Sequence, residues 1–382
     1  MELLFGILIG LFVLVILVSV HELGHAIAAR RSGVVVEEFG IGFPPRAWGK
    51  KLKNGVLFSL NWLPLGGFVK LQGEHDAADK KGDYGAATFW QKTKILLAGV
   101  VMNWVIAALL FTVLAWTGLP KAIENQFSVA GDTTIRSSPL EVTSVVKGSP
   151  ADKAGLKSGD QIIQFAGRPV AKAADLTKDS ETYKGQQVAI VYSRDGKEAT
   201  ATATLRSDNS DHQGYLGVGS GQYEFIHATW SAPIVGVATT GQFTWETLKG
   251  LGSLVGNTVG GVIMQFSADQ VTREQAQQNL QAAGSSVAGP VGILGTIFPS
   301  AERAGLTQLV FLAANISLAL AVMNILPIPA LDGGRWFVTA IYRIMKKPLS
   351  KEREEQIQGT GFMILMLLVI VITIADVTKL FK

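Results

Sequence analysis

Residues 3–20, LLFGILIGLFVLVILVSV, make an uncharged run of eighteen residues, about the length a helix needs to cross a bilayer core. Backbone amides in hydrocarbon must be satisfied within the chain, so a run with no strand-like alternation has one stable form there, a helix. The helical pattern continues through HELGHAIAA. Three more runs, 95–119, 304–331 and 356–375, are each uncharged for at least 20 residues, and the chain is expected to cross the membrane four times. Charged residues at 17%, apolar ones at 48% and a mean hydropathy of +0.30 agree with that. Ala26-Ile27-Ala28 has the small residues of a signal-peptidase site, but the segment ahead of the apolar run carries Glu2 and no Lys or Arg.

The short loops set the expected orientation. Arg30, Arg31, Arg46, Lys50, Lys51, Lys53, Lys70, Lys80, Lys81, Lys92 and Lys94 lie between the first and second runs, and Arg335, Arg343, Lys346, Lys347, Lys351 and Arg353 between the third and fourth. Both loops are predicted to be cytoplasmic, with 120–303 outside. The net charge of +4 gives no reason to expect nucleic acid. With no cysteine, disulfides, thiolate metal sites and cysteine nucleophiles are excluded together.

Between the second and third runs, short β-type segments punctuated by Gly, Pro and Asp predict a globular module. Within it GSPADKAGLKSGDQIIQFAGRPV (148–170) resembles the PDZ signature of strand, short helix, Gly-Asp turn and strand. Such a domain offers a sheet edge to an added peptide. Residues 232–266 and 285–300 are Gly-rich and moderately apolar and are expected as helices at the membrane surface, packing against the PDZ module being the alternative. In the first cytoplasmic loop, VVVEEFGIGFPP (34–45) and VLFSLNWLPLGGFVKLQGE (56–74) read as two strands joined by RAWGKKLKNG. Apolar strands beside a membrane leave an edge that protein must cover or a partner must pair with.

The chemistry is concentrated in His21-Glu22-Leu23-Gly24-His25. On a helix the i, i+4 spacing puts both imidazoles on one face, as two ligands of one zinc require, and Glu22 suits the general base acting on metal-bound water. A catalytic zinc wants a third protein ligand and an open position. Of the other histidines, His212 and His227 fall on the outer side and His75 in a charged loop. Asp332 is the better candidate: it follows the third run in NILPIPALDGG (324–334), where the prolines stop the helix, the glycines permit close approach, and the span count brings it to the same side as HELGH. A polar packing cluster for HELGH and a helix C-cap for LDGG are the plain alternatives. Asn103, Asn315 and Asn324, within the second and third runs, should face protein or a wet cavity.

HExxH in the first run, NxxPxPxLDGG in a late one, PLGGFVK between runs one and two and a PDZ signature between two and three together resemble the site-two protease family of intramembrane zinc metalloproteases, over nearly the whole chain and in a single-PDZ form. The resemblance implies a polytopic α-helical membrane protein with four transmembrane helices, a cytoplasmic-side membrane-reentrant β loop and one extracytoplasmic PDZ domain, in a bacterial inner membrane. It implies Zn2+ held by His21, His25 and Asp332, Glu22 as base, and a substrate cleft touched by Asn103, Asn324, Pro327, Pro329, Gly66 and Gly67. Substrates would be single-pass membrane proteins, an anti-sigma factor or remnant signal peptides among them, with a peptide or protein tail at the PDZ groove. The expected division is 1–30 (helix one with HExxH), 31–93 (β loop), 94–119 (helix two), 120–225 (PDZ), 226–303 (membrane-surface linker), 304–334 (helix three with LDGG), 335–355 (cytoplasmic loop) and 356–382 (helix four and C-terminus). The rival reading is a catalytically silent PDZ-bearing adaptor, which has no need of Glu22. Another membrane zinc peptidase, such as a prenyl-protein protease, would share HExxH but predicts neither PDZ nor LDGG.

Overall fold

The computed structural model describes residues 2–194, 196–211, 213–267, 269–285 and 287–380. The chain begins with α1 (Glu2–Arg31), β1 (Val36–Lys51), β2 (Leu57–Leu71) and α2 (Phe89–Thr117). There follow β3 (Leu119–Pro120), β4 (Thr134–Ser137), β5 (Leu140–Val145), α3 (Pro150–Lys153), β6 (Gln161–Phe165), β7 (Arg168–Pro169), α4 (Ala173–Thr182), β8 (Gln187–Arg194), β9 (Lys197–Thr204), β10 (Val218–Gly221) and β11 (Glu224–His227). The remainder is helical: α5 (Ala232–Met264), α6 (Gln270–Ser285), α7 (Pro290–Gly292), a π-helical turn (Ile293–Ile297), α8 (Phe298–Arg303), α9 (Leu306–Ile325), α10 (Asp332–Ile344) and α11 (Lys351–Leu380). Two compact units result, Gly118–Thr229 and the rest.

In the larger unit four helices are long and apolar enough to cross a membrane: Leu3–Arg31, Phe89–Thr117, Leu306–Ile325 and Lys351–Lys379. Helix α2 is the hub, packed against α1, α5 and α9. The crossings use small residues, as expected where lipid supplies no hydrophobic drive between helices. A Cβ on Gly24 would lie 2.6 Å from the Ala98 carbonyl oxygen, and one on Gly236 would meet the Thr112 backbone at 2.6 Å.

Residues 232–266 do not form surface helices as expected. They make one long helix, α5, whose first half lies along α2: Phe243 packs on Phe111 at a ring separation of 5.4 Å, and Trp104 Nε1 donates to Thr244 Oγ1 at 3.1 Å. Gly236, Thr240 and Phe243 share one helical face, which fits α2. The second half pairs with α6, Gly261 lying against Leu280. The cytoplasmic loop expected at 335–355 is also partly helix. Leu326, extended because Pro327 follows it, ends α9, and the chain restarts as α10 at Asp332.

Strands β1 and β2 fold back on one another. Phe39 pairs with both Phe58 and Val69, Ile41 with both Leu60 and Gly67, and the far end of β1 returns to pair Lys50 with Phe58. Strand β1 therefore runs on through RAWGKK, which the sequence reading had made part of the connection. The 67–71 stretch has a strand partner on one side only among the described residues.

The smaller unit has a sheet in the order β10-β5-β6-β8-β9, with β7 beside β6, a three-stranded sheet β3-β11-β4, and two short helices. Ser149 caps α3 through Asp152 N at 3.2 Å, and Gly159, at φ +95°, makes the turn into β6 that a side chain would hinder. Strand, short helix, Gly-Asp turn and strand thus follow in the order of the 148–170 pattern. Leu140, Ile162, Phe165, Leu176 and Ile190 form the core.

Candidate metal centre

His21 and His25 face α2 from one side of α1 and are only 7% and 8% exposed. Their Nε2 atoms lie 3.1 Å apart. Asp332, the first residue of α10, brings Oδ2 to 2.9 Å from His21 Nε2 and 3.2 Å from His25 Nε2. Ligand atoms about 2.1 Å from a tetrahedral zinc stand roughly 3.3 Å apart, so these three fit one ion with a direction left open. Local backbone explains the position of Asp332: a Cβ on Gly333 would lie 2.2 Å from the Ile325 carbonyl oxygen, and one on Gly334 would lie 1.9 Å from that of Ile328. Only the double glycine lets α10 start this close to the end of α9.

The surroundings orient both rings. His25 Nδ1 donates to the Ile95 carbonyl at 2.7 Å, which presents Nε2 with a free lone pair toward the centre. Asn103 is completely buried with its amide nitrogen 3.2 Å from His21 Nδ1, while its Oδ1 has no partner among the described residues. Turned over, the amide would accept from an Nδ1–H and leave His21 Nε2 for a metal, so this orphaned oxygen also fits a metal centre. Ser317 of α9 holds the Asn103 carbonyl at 2.8 Å. Asn103 thus faces protein, as its polarity within a span implies, but it lies behind His21 rather than in the substrate cleft that the resemblance implies.

Sequence reasoning missed Gly99. A Cβ there would lie 2.5 Å from His25 Nε2 and 2.6 Å from His21 Nε2, so α2 makes room for both rings only by having no side chain at this point. Nothing in a glycine within an apolar run announces that role. It also missed the brace beside the centre. Arg335, one turn after Asp332, donates to Glu74 Oε1 at 2.9 Å, to the Glu74 carbonyl at 2.7 Å and to Glu354 Oε1 at 3.2 Å, over the ring of Tyr84. Burial pushes the Tyr84 hydroxyl well above its ordinary pKa and keeps it neutral. Lys92, buried, pairs with Asp76. Beside them a cavity of about 540 Å³ opens onto Asp332, lined also by His75, Arg335 and Glu354.

The remaining candidate residues do not join this cluster. Glu22 is half-buried, and a Cβ on Gly67 would come within 3.6 Å of its Cγ, so the single-sided β2 stretch passes next to it. Gly66 lies against the Phe43 ring. Asn324 donates to Leu320 within its own helix at 2.9 Å. Pro327 is exposed, and Pro329 abuts Gly361 of α11. His75 lines the cavity without entering the cluster, His227 lies in β11 of the other unit, and His212 falls outside the described residues.

Two imidazoles and a carboxylate converging in a bundle of apolar helices, with a carboxylic acid one residue along, define a metallopeptidase type of centre in a membrane protein. Residues 9–368 match the pattern described as Peptidase family M50. A Clostridium perfringens protein with a zinc metalloprotease name is 32% identical over 94% of this chain and 95% of its own length. The zinc metalloprotease RasP of Shouchella clausii is 28% identical over 96% and 97%. A solved PDZ domain of an SdrC-like protein from Listeria monocytogenes covers 25% of this chain and 93% of its own, with 22% identity and a TM-score of 0.20. The chain belongs to peptidase family M50 and is a multi-pass membrane zinc metalloprotease.

Proposed function

We propose that the protein is a site-two protease that hydrolyses peptide bonds inside the transmembrane segments of single-pass membrane proteins, with His21, His25 and Asp332 as zinc ligands and Glu22 as general base. The observation that carries this is the meeting of the three ligand atoms within about one ion's coordination shell, at the end of a span-length helix. Zinc, when bound, polarises the scissile carbonyl and acidifies a water. The Glu22 carboxylate takes a proton from that water and passes it to the leaving amide nitrogen. Asn103 holds the His21 ring, and the Ile95 carbonyl holds that of His25.

Amides within a helix are hydrogen-bonded and closed to attack, so the substrate must be extended first. The β2 stretch around Gly67, with a side next to Glu22 that is unpaired among the described residues, can pair with it, and Gly66, Asn324, Pro327 and Pro329 border the same region. In this reading the loops at 31–93 and 335–355 face the cytoplasm, and Gly118–Thr229 is an extracytoplasmic PDZ domain that receives a peptide tail or limits entry. Anti-sigma factors and remnant signal peptides suit such a site.

The experiment uses purified protein in detergent, assayed for bound zinc and for cleavage of reporter single-pass substrates, with Glu22→Gln beside the wild type. Both should hold about one zinc per chain, chelation should abolish cleavage and zinc restore it, and Glu22→Gln should lose a factor of about 10²–10⁴. Spans with Gly, Pro or polar residues should be cut faster than poly-Leu. Zinc-loaded wild type that cuts none of several such spans would favour the silent adaptor.

A further inference from the structure

The end of the bundle that carries the two histidines has a second feature, which the peptidase chemistry does not use. Between α1 and α2 runs a groove of about 640 Å³, within the range of about 300–1,000 Å³ usual for small-ligand sites. Its walls are Ile27 and Ala28 from α1 and Leu97, Val101 and Met102 from α2, and its narrow floor is where Gly24 meets Ala98. The helices run antiparallel there: Gln91 Nε2 reaches the Ser32 carbonyl, His25 the Ile95 carbonyl, and Asn103 His21. Consequently Arg31, the last residue of α1, and Lys94, near the start of α2, stand together at one end of the groove. Both are exposed, and neither side chain makes an ion pair or hydrogen bond with any described residue. The other end lies within the two spans.

A groove apolar along its length and doubly cationic at its outer end is complementary to one kind of molecule in a bilayer. We propose that it binds an anionic phospholipid, with the phosphate against Arg31 and Lys94 and an acyl chain along Ile27, Leu97 and Val101. Basic pockets between membrane helices hold anionic headgroups in this way. A zwitterionic lipid brings its own cation to the two already present, so charge favours the anionic one. The chain would lie against Gly24 and Ala98, next to His25 and Gly99, and would brace α1 on α2 where the histidines are held.

The test is binding of phosphatidylglycerol and phosphatidylcholine to the full chain, delipidated in neutral detergent, by native mass spectrometry. Inorganic phosphate is the competitor, and monodisperse elution reports folding. At roughly fivefold for each of the two cations, the wild type should prefer phosphatidylglycerol about 25-fold. Arg31→Ala with Lys94→Ala should bring that below about threefold, and Lys53→Ala, an exposed cation away from the groove, should leave it unchanged. Val101→Trp, which fills the groove from its open side, should weaken both lipids. The proposal fails if the wild type binds the two lipids alike, if the double variant keeps the preference, if Val101→Trp binds as wild type, or if phosphate alone displaces the lipid, which would mark a free-anion site. Because the readout is lipid binding, its failure leaves the peptidase reading untouched.

Discussion

Residues 118–229 and the span-length helices are held together differently. In the first, Leu140, Ile162, Phe165 and Ile190 are almost without exposure; in the second Phe111, Leu114 and Leu318 are buried as well, but Gly24, Gly99 and Ser317 stand at the crossings and Phe12, Phe362, Met363 and Leu367 point outward. In water each large side chain taken inside contributes about 1.5–3 kcal/mol. Between helices in lipid the tails outside are as apolar as the interior, so close backbone approach and hydrogen bonds hold the crossings instead. That difference decides where a metal centre can sit. The crossing of α1 and α2 is narrow enough to clamp two imidazoles because α2 has no side chain at residue 99.

The comparison can be broken at its strongest point. Gly99→Val should put a branched Cβ 2.5 Å from His25 Nε2 and 2.6 Å from His21 Nε2, and displacing both rings should cost activity about 10²-fold or more and empty the proposed zinc site. Retained zinc and near-normal cleavage would show that the helices do not clamp the rings. Next in size, Phe165→Ala should destabilise the smaller unit by about 3–5 kcal/mol, read as proteolysis within 118–229 at lower denaturant with zinc content unchanged; zinc loss in step would mean that the two regions are not separately held. The smallest effect concerns a charge. Burial alone would raise the Asp160 pKa, but Arg194, at 2.6 and 2.8 Å, and the Lys157 N–H hold it below the ordinary value. A depressed folded pKa adds stability above the unfolded value, so that part of the unit's stability should be full at neutral pH and fall away below about pH 4. Arg194→Ala should cost about 1–3 kcal/mol at pH 7 and flatten that acid limb; an unchanged limb would remove the pair from the account.

Several features were legible because each is local. Four apolar runs of helical length led to four span-length helices. The i, i+4 histidines share a face by helical geometry alone, and LDGG after two prolines implied the broken helix and close turn found at 326–334. Less was legible where a segment's partner decides its place. Residues 232–266 have a composition that suits a membrane surface equally well, and only the match of Gly236, Thr240 and Phe243 to α2 selects the packed position. RAWGKK reads as a turn until β2 offers it a backbone to pair with. Polarity in a span implied only that Asn103 faces protein, and the family resemblance implied a cleft role; which side of His21 it occupies depends on the rotation of α2.

By itself, then, the sequence determined the apolar helices and which residue types were candidates for a metal centre, since period and side-chain identity carry them. Tertiary structure alone decided that Asp332 meets the histidines at about 3 Å, that Gly99 makes their space, that Asn103 lies behind His21, and that Arg31 and Lys94 flank one groove. Each is a distance between residues far apart in the chain, set by how helices cross, and no local pattern encodes a crossing.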